Sequence, residues 1–456
     1  MSRLSAVDSL FLGVETRELP AHVAGLQVFE LPRGEGAAWL QAMMTELRRR
    51  PPGFPFNQRL KPGGIGLPEL VTDDGFEIDY HLRHTVLPRP GNDEQLHAVL
   101  ARMHANLVDR DRPLWEFYLI EGLAGRRFAF YIKIHHAICD GATFSKWMAD
   151  ATGTAASAPL RCIWERSHRH AGQTPRPWLE ALQTPVASLR HSGDIALGLG
   201  KLAGRLVNAR YLQHNERIAL PLSGPHTALN APLSASRSLA FADYPLEQLK
   251  AMGRPLGATL NDVVLALCDA ALLRYLGEQG QHPDKPLVAA VPVNLRPPGE
   301  STAEGNYVTG LQVKLGQRDE GPAQRIQSIH QSVAAARALY SGLPNAASQA
   351  YSFSTALLGS VGMSLKLEGI MPPPLNLVIS NVPGPRETRY FNGAKLVATY
   401  PISGIAPMTA LNVTVYSYAG RLFFGMVSGR RAMPHLEDLK ACLDEIYEEF
   451  RQALLA

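Results

Sequence analysis

A strand that runs directly into two adjacent histidines constrains this chain more than any other feature. Between Phe128 and His136, the apolar residues Phe128, Phe130, Ile132 and Ile134 alternate with Ala129, Tyr131 and Lys133. That period of two marks a strand with one face turned to a core. The strand continues into His135-His136-Ala137-Ile138-Cys139-Asp140-Gly141, so the fold must deliver a strand end to the chemistry of the histidines. Continuing the alternation places His136 on the buried face of Ile134 and turns His135 the other way with Lys133. One imidazole is thus expected to enter the interior and its neighbour is not.

A buried neutral imidazole is suited to take a proton from a hydroxyl, because its ordinary pKa of about 6.5 lies near working pH and burial lowers it further. Acyl transfer is the chemistry this suits. Two other readings stand beside it: a core histidine bonded to backbone, and a metal ligand. Against a metal, neighbouring histidines on a strand face opposite sides, and no further His, Asp or Glu cluster lies nearby in sequence. Asp140 invites a triad, yet it sits in a turn before Gly141, where its carboxylate would have difficulty polarising His136.

The chain has 456 residues, of which 46% are apolar and 19% charged. That length exceeds a usual domain of about 150 residues by enough for two domains or one large enzyme. A net charge of only +4 argues against a polyanion-coating protein, so nucleic acid is not an expected partner. Cys139, Cys162, Cys268 and Cys442 are scattered and form no CxxC pair, which fits a reducing compartment. The start, MSRLSAVDSLFLG, has no apolar run leading to a cleavage site, and no stretch of about 18 uninterrupted apolar residues occurs. A cytoplasmic protein is expected, with a peripheral place on the inner membrane face or on lipid inclusions as the further possibility.

Ser5 and Asp8 form a capping-box pattern before a first helix, and His22–Leu31 reads as a strand. Asp93–Val108 reads as a helix. Between about 155 and 228, Pro, Gly, Arg and Ser crowd together around an amphipathic stretch, Ile195–Tyr211. Thr259–Leu276 then reads as a helix with Thr259 and Asp262 as its capping box, Leu287–Val293, Leu375–Ser380 and Leu411–Tyr418 as strands, and Pro434–Leu454 as a closing helix. Mixed elements in both halves make an α/β fold, divided as 1–158, a crossover at 159–228, and 229–456.

HHAICDG matches the HHxxxDG motif of a superfamily that includes chloramphenicol acetyltransferase, plant alcohol acyltransferases and peptide-synthetase condensation domains. Pro113-Leu114-Trp115-Glu116, Asn261-Asp262 in TLNDVVLA, Pro292–Pro297 (PVNLRP), Gly305-Asn306 and Ser380–Pro385 (SNVPGP) narrow the likeness. With them the chain resembles, over nearly its whole length, the bacterial wax ester synthase/diacylglycerol acyltransferase family. The resemblance implies two chloramphenicol-acetyltransferase-like domains with mixed sheets and a tunnel between them. It further implies transfer of a fatty acyl group from acyl-CoA to a long-chain alcohol or to diacylglycerol. Acyl-CoA would be a substrate, with no cofactor and no metal.

In that reading His136 is the general base, His135, Asp140 and Gly141 complete the motif, and no acyl-enzyme forms, which leaves Cys139 as a packing residue. Asp140 pairs with Arg296 of NLRP as a structural tie between the halves. Ser380 and Asn381 are candidates for the oxyanion or acyl site, although a strand end with turn residues explains them equally. Asn261 and Asp262 join them by resemblance alone, since helix capping explains TLND locally. Pro113, Leu114 and Trp115 are candidates for packing an acyl channel.

A condensation-type enzyme taking its donor from a carrier protein would share the same base. The chain, however, carries no attached carrier-domain signature. A non-catalytic lipid-binding protein is disfavoured by the complete HHAICDG. For contact with lipid, Ile195, Leu199, Leu202 and Leu206 recur at helical spacing beside Lys201, Arg205 and Arg210, and residues 159–217 hold nine Lys or Arg against four Asp or Glu. This predicts salt-sensitive binding to anionic lipid through Lys201 and Arg205, against the plainer expectation that the helix packs on its own domain.

Overall fold

The alternating segments become strands, and the strands gather into two six-stranded sheets. The computed structural model describes residues 2–4, 6–62, 67–165, 197, 199–212, 214–294, 308–343, 345–367 and 369–455. In chain order the first strands are β1 (Ser2–Arg3), β2 (His22–Glu30), β3 (Gln58–Leu60), β4 (Glu69–Thr72), β5 (Leu82–Val86), β6 (Trp115–Leu123) and β7 (Arg127–His135). After the crossover come β8 (Arg237–Pro245), β9 (Val288–Asn294), β10 (Val308–Lys314), β11 (Leu377–Val382), β12 (Tyr390–Phe391), β13 (Ala394–Ile402), β14 (Leu411–Tyr418) and β15 (Arg421–Gly429).

One large sheet has the order β12-β13-β2-β7-β6-β5 and the other β10-β9-β11-β14-β15-β8, while β1, β4 and β3 make a small third sheet. Both large sheets mix antiparallel pairs with parallel ones, β5 with β6 in the first and β11 with β9 and β14 in the second. The mixed α/β architecture expected of the chain is therefore present. The sheets do not divide at one point of the sequence, because β12 and β13 of the second half complete the first sheet beside β2. Where β13 passes β15 the backbones nearly touch: a Cβ on Gly425 would stand 1.7 Å from the Pro401 carbonyl oxygen. Only glycine allows that approach.

The expected helices form, and two of them begin at capping boxes, of which the sequence pattern marks the one at Thr259. Asp93–Ala105 starts at Asn92, whose side chain accepts from Gln95 N in a full capping box. Leu260–Glu278 does the same with Thr259 and Asp262, and Leu436–Leu455 closes the chain. Ser5 lies outside the described residues, so its capping box with Asp8 does too.

Apolar side chains of Leu260–Glu278, β9, β10, β11 and β14 form the second-half core, and β2, β6 and β7 with Phe391 and Leu396 form the first. A third cluster, with Leu26, Tyr131, Phe241, Ile402 and Val427, joins the two sheets.

In the crossover, Cys162, Ile163 and Trp164 bury in the first core, and residues 199–207 are helical, running into a π-helical turn, Asn208–Leu212. Ile195 lies outside the described residues. The amphipathic stripe turns inward: Leu202 is buried in the second core with Leu206 packed beside it. Arg205 is not a free surface charge, because it donates to the carbonyls of Leu339 and Ser341 at 2.8 and 2.7 Å. The expected salt-sensitive anchor at Lys201 and Arg205 thus loses one of its two cations to the end of the neighbouring helix.

Candidate active site

The histidine pair sits where β7 ends, and its two rings have the opposite placement from that read by alternation. β7 stops at His135, after which the chain turns, so strand geometry no longer governs His136. His135 does share the side of Lys133, but that side is also interior: both are 0% exposed, whereas His136 is half-buried. Alternation assumed a sheet with one wet face, and this sheet has none along β7.

Three contacts hold His136. Its N–H donates to the Ala21 carbonyl at 2.8 Å, which ties the turn to the residue before β2. Its ring stacks on Phe11 of the first helix, Ala6–Val14, with centroids 4.1 Å apart. A further hydrogen bond joins the ring to its own backbone. Burial lowers its pKa, opposed by the Asp140 carboxylate, so the ring is neutral at neutral pH.

His135 is clamped more tightly. Its N–H donates to Leu114 O at 3.0 Å, and its Nδ1 accepts the Ala137 N–H at 3.0 Å. Nδ1 is therefore the acceptor nitrogen, and Nε2–H faces Glu15 Oε1 at 3.4 Å. The Glu15 side chain is wholly buried and also accepts from Ala21 N at 2.9 Å and from Arg110 at 2.8 Å. Burial by itself would raise its carboxyl, yet His135, the Ala21 amide and Arg110 together hold it down at about 2. Glu15 therefore braces both histidines, one through its ring and the other through Ala21. Sequence reasoning missed Glu15, Arg110 and Phe11, since ETREL carries no spacing signal and only the fold brings Glu15 to β7.

Asp140 is an N-cap: its Oδ1 accepts the Thr143 N–H at 2.8 Å and opens the helix Gly141–Asp150. A Cβ on Gly141 would meet nothing within 4 Å, so space remains open at the helix start beside the histidine turn. Arg296 lies outside the described residues. Burial pushes the Cys139 thiol well above its ordinary pKa, which makes it a poor nucleophile.

The Gly141–Asp150 helix packs on β11, the strand of Ser380 and Asn381, and its Ser145 bonds Tyr416 on the next strand. Both candidates are half-buried, with Ser380 opposite Thr414 and Asn381 opposite Val415. The following turn is tight: Gly384 N donates to Ser417 Oγ at 3.1 Å, and a Cβ there would lie 2.3 Å from the Ser417 carbonyl.

Two other candidate sets have structural occupations. Asp262 accepts from Thr259 and also meets His330 Nδ1 at 2.8 Å, tying its helix to Pro322–Tyr340, while Asn261 Nδ2 finds no hydrogen-bond partner among the described residues. Leu114 and Trp115 do not line an open channel, being 1% and 2% exposed in the first core. The Trp115 ring stacks on His81 at 4.5 Å and its Nε1 donates to Phe56 O. The Pro113 carbonyl accepts from Trp115 N and the Leu114 carbonyl from His135 N, so the segment braces the end of β7.

Among the described residues, no group of three or more His, Cys, Asp or Glu side chains is placed to hold a metal ion, and no single helix is long and apolar enough to cross a membrane.

Comparison with known proteins places this geometry. Residues 4–264 match the wax ester synthase/diacylglycerol acyltransferase catalytic domain, and residues 304–451 match the C-terminal domain of the same family. A Mycobacterium tuberculosis protein named a probable diacylglycerol O-acyltransferase is 37% identical over 453 residues, 98% of each chain. The O-acyltransferase WSD of Acinetobacter baylyi is 32% identical over 99% of this chain and 97% of its own. The solved wax ester synthase/diacylglycerol acyltransferase of Marinobacter aquaeolei VT8 superposes with a TM-score of 0.76 at 30% identity, covering all of both chains. A condensation domain of the calcium-dependent antibiotic synthetase, at 16% identity and a TM-score of 0.60 over 99% of this chain and 95% of its own, shares the fold alone.

Proposed function

Because the chain belongs to the wax ester synthase/diacylglycerol acyltransferase family and is an O-acyltransferase acting on alcohols or diacylglycerol, we propose that His136 is its general base. The acceptor hydroxyl attacks the thioester carbonyl of acyl-CoA while His136 takes its proton. A C–O bond forms, the C–S bond breaks, and the imidazolium returns the proton to the departing thiolate. The observation that carries this reading is a half-buried histidine, kept neutral by burial and fixed by Phe11 and Ala21, beside the open start of the Gly141–Asp150 helix.

The raised Cys139 thiol supports direct transfer without an acyl-enzyme. Ser380 and Asn381 are assigned to the oxyanion and acyl side, across the helix that Asp140 caps. Asn261 and Asp262 are assigned to support of the second half. Arg296 is assigned to the Asp140 carboxylate, and melts of the two single alanine variants and the double variant read that coupling; additive losses would break it. The scheme needs acyl-CoA as substrate and no further group.

The test is a competition: palmitoyl-CoA with hexadecanol and dioleoylglycerol together, following thiol release and both ester products. Thiol release with either ester is the expected result. No thiol release, or an acyl adduct in the intact mass, would overturn the scheme. Since both acceptors are insoluble in water, the protein is also proposed to work against a lipid surface.

A further inference from the structure

Surface helices ordinarily turn leucines inward and polar groups outward. The helix Asn345–Ser364 turns its leucines outward along its C-terminal half, beside serines that are exposed or half-buried. It has no acidic residue in its first turn and no basic one in its last, and its sequence NAASQAYSFSTALLGSVGMS contains no charged side chain at all. Its glycines face the protein: a Cβ on Gly359 would lie 3.1 Å from the Pro407 carbonyl, and one on Gly362 would lie 2.5 Å from Met408 Sδ. Its aliphatic residues face out. Leu357, Leu358 and Val361 are exposed, and beyond the helix end Leu365 and Ile370 continue the patch at 63% and 80% exposure.

Single exposed leucines are ordinary, but five aliphatic side chains on one uncharged helix and its following turn are not. Glycines inward and branched aliphatic residues outward is the arrangement of a helix whose outer neighbour is hydrocarbon. Through its inner face the helix is also tied to the catalytic turn. Pro407 and Met408 belong to the loop whose Gly404 packs on the Pro20 and His22 carbonyls, and the Ala21 carbonyl between them receives the His136 N–H.

We propose that the outer face of Asn345–Ser364, with Leu365 and Ile370, inserts into a phospholipid surface and brings the catalytic turn to lipid-borne acceptors. The inference rests on the acyltransferase reading above. Hydrocarbon is favoured over a protein partner by composition, since protein interfaces concentrate Trp, Tyr and Arg within a polar rim, and none of the five exposed residues is aromatic or charged. The helix carries no charge and the following turn adds the exposed Lys366, so on zwitterionic lipid insertion depends on apolar burial and is insensitive to salt. This is the opposite of the behaviour expected from the Lys201 and Arg205 helix.

Flotation with phosphatidylcholine vesicles carrying dioleoylglycerol tests it. The wild-type protein floats equally at low and high salt. The Leu357→Gln/Leu365→Gln and Val361→Glu variants, with unchanged melts, float at least about tenfold less, the double variant losing more, as the loss of one or two buried aliphatic side chains dictates. Their transfer from palmitoyl-CoA to dissolved hexanol is unchanged, while transfer to vesicle-borne dioleoylglycerol falls with flotation. A wild-type protein that does not float, variants that float as it does, or a wild-type dimer that the variants make monomeric would each overturn the proposal. Wild-type protein inactive on both acceptors would remove the acyltransferase reading instead, and flotation would still decide the surface.

Discussion

The two six-stranded sheets are built alike and differ in what they bury. The first carries polar groups on the strands themselves: Lys133 on β7 meets Glu116 on β6 at 2.8 Å, His135 faces Glu15, and His22 and His104 lie against each other with centroids 4.6 Å apart. The strands of the second sheet also bury polar side chains, Gln312, Asn412, Thr414, Ser428 and Arg237, but all except Arg237 are neutral, and the buried ion pair of that half, Asp269 with Arg325, stands off the sheet at a helix and loop junction. Buried polar groups lower stability unless each is satisfied, and they hold geometry when it is. The sheet that delivers the catalytic turn therefore carries charged positioning groups in its interior, while the other is chiefly a scaffold that offers it the face of β11.

The sharpest break of this comparison is His136→Ala. Acyl transfer should fall by about 10²–10⁴-fold with an unchanged melt, because the ring stacks at a turn rather than inside a core. Thiol release with palmitoyl-CoA and hexadecanol measures it, and activity equal to wild type would remove the base. In the second half the loss should be of the other kind. Arg325→Leu leaves Asp269 buried without its cation and should cost about 3–5 kcal/mol, much of it recovered in the double Leu variant. Urea unfolding reads this, and the activity of the folded fraction should not move.

A smaller effect separates positioning from scaffolding within the first half. Glu15→Gln keeps an acceptor for Ala21 but removes the charge facing His135 and Arg110. Turnover should fall on the order of tenfold, with KM for acyl-CoA unchanged and most of the loss restored by Glu15→Asp. A change in KM alone would place Glu15 elsewhere.

The smallest effect is in pH. Burial holds His81 near 4 and His104 near 3, so both stay neutral in the fold and bind protons on unfolding once the pH drops below about 6.5. Stability from each is complete above that value and declines as the pH falls, by about 2 kcal/mol between pH 6.5 and 5. Hydrogen exchange should show β6 and β7 losing protection at pH 5 before β14 and β15. The kcat/KM profile should keep its acid limb below 6.5, since only neutral His136 accepts the proton.

Periodicity made much of this legible. β14 spans Leu411–Tyr418 as read, and the capping boxes at Asn92 and Thr259 start helices where apolar spacing placed them. What sequence could not supply depends on contacts far apart in the chain. The burial of His135 follows from a first helix and an arginine folding over β7, and the solvation of His136 follows from β7 ending one residue sooner than alternation assumed. For Pro113, Leu114 and Trp115 the resemblance implies packing of an acyl channel, but only the fold shows that Trp115 is fixed in the aromatic core by His81 and Phe56. The inverted helix at Asn345–Ser364 is invisible to periodicity, which reports that two faces differ but not which one meets water.

The placement of β13 governs how the molecule is made. On a ribosome the strands β2, β5, β6 and β7 emerge early, but the neighbour that covers the free edge of β2 is residues 394–402. At synthesis rates of about 5–20 residues per second, that edge waits on the order of tens of seconds for its partner. During this interval the nascent first half presents an open strand of largely apolar sequence. Two separately produced halves would therefore regain the catalytic sheet only by exchanging that strand, and a chain ending before residue 394 would retain every residue of the HHxxxDG motif without a closed sheet to hold it.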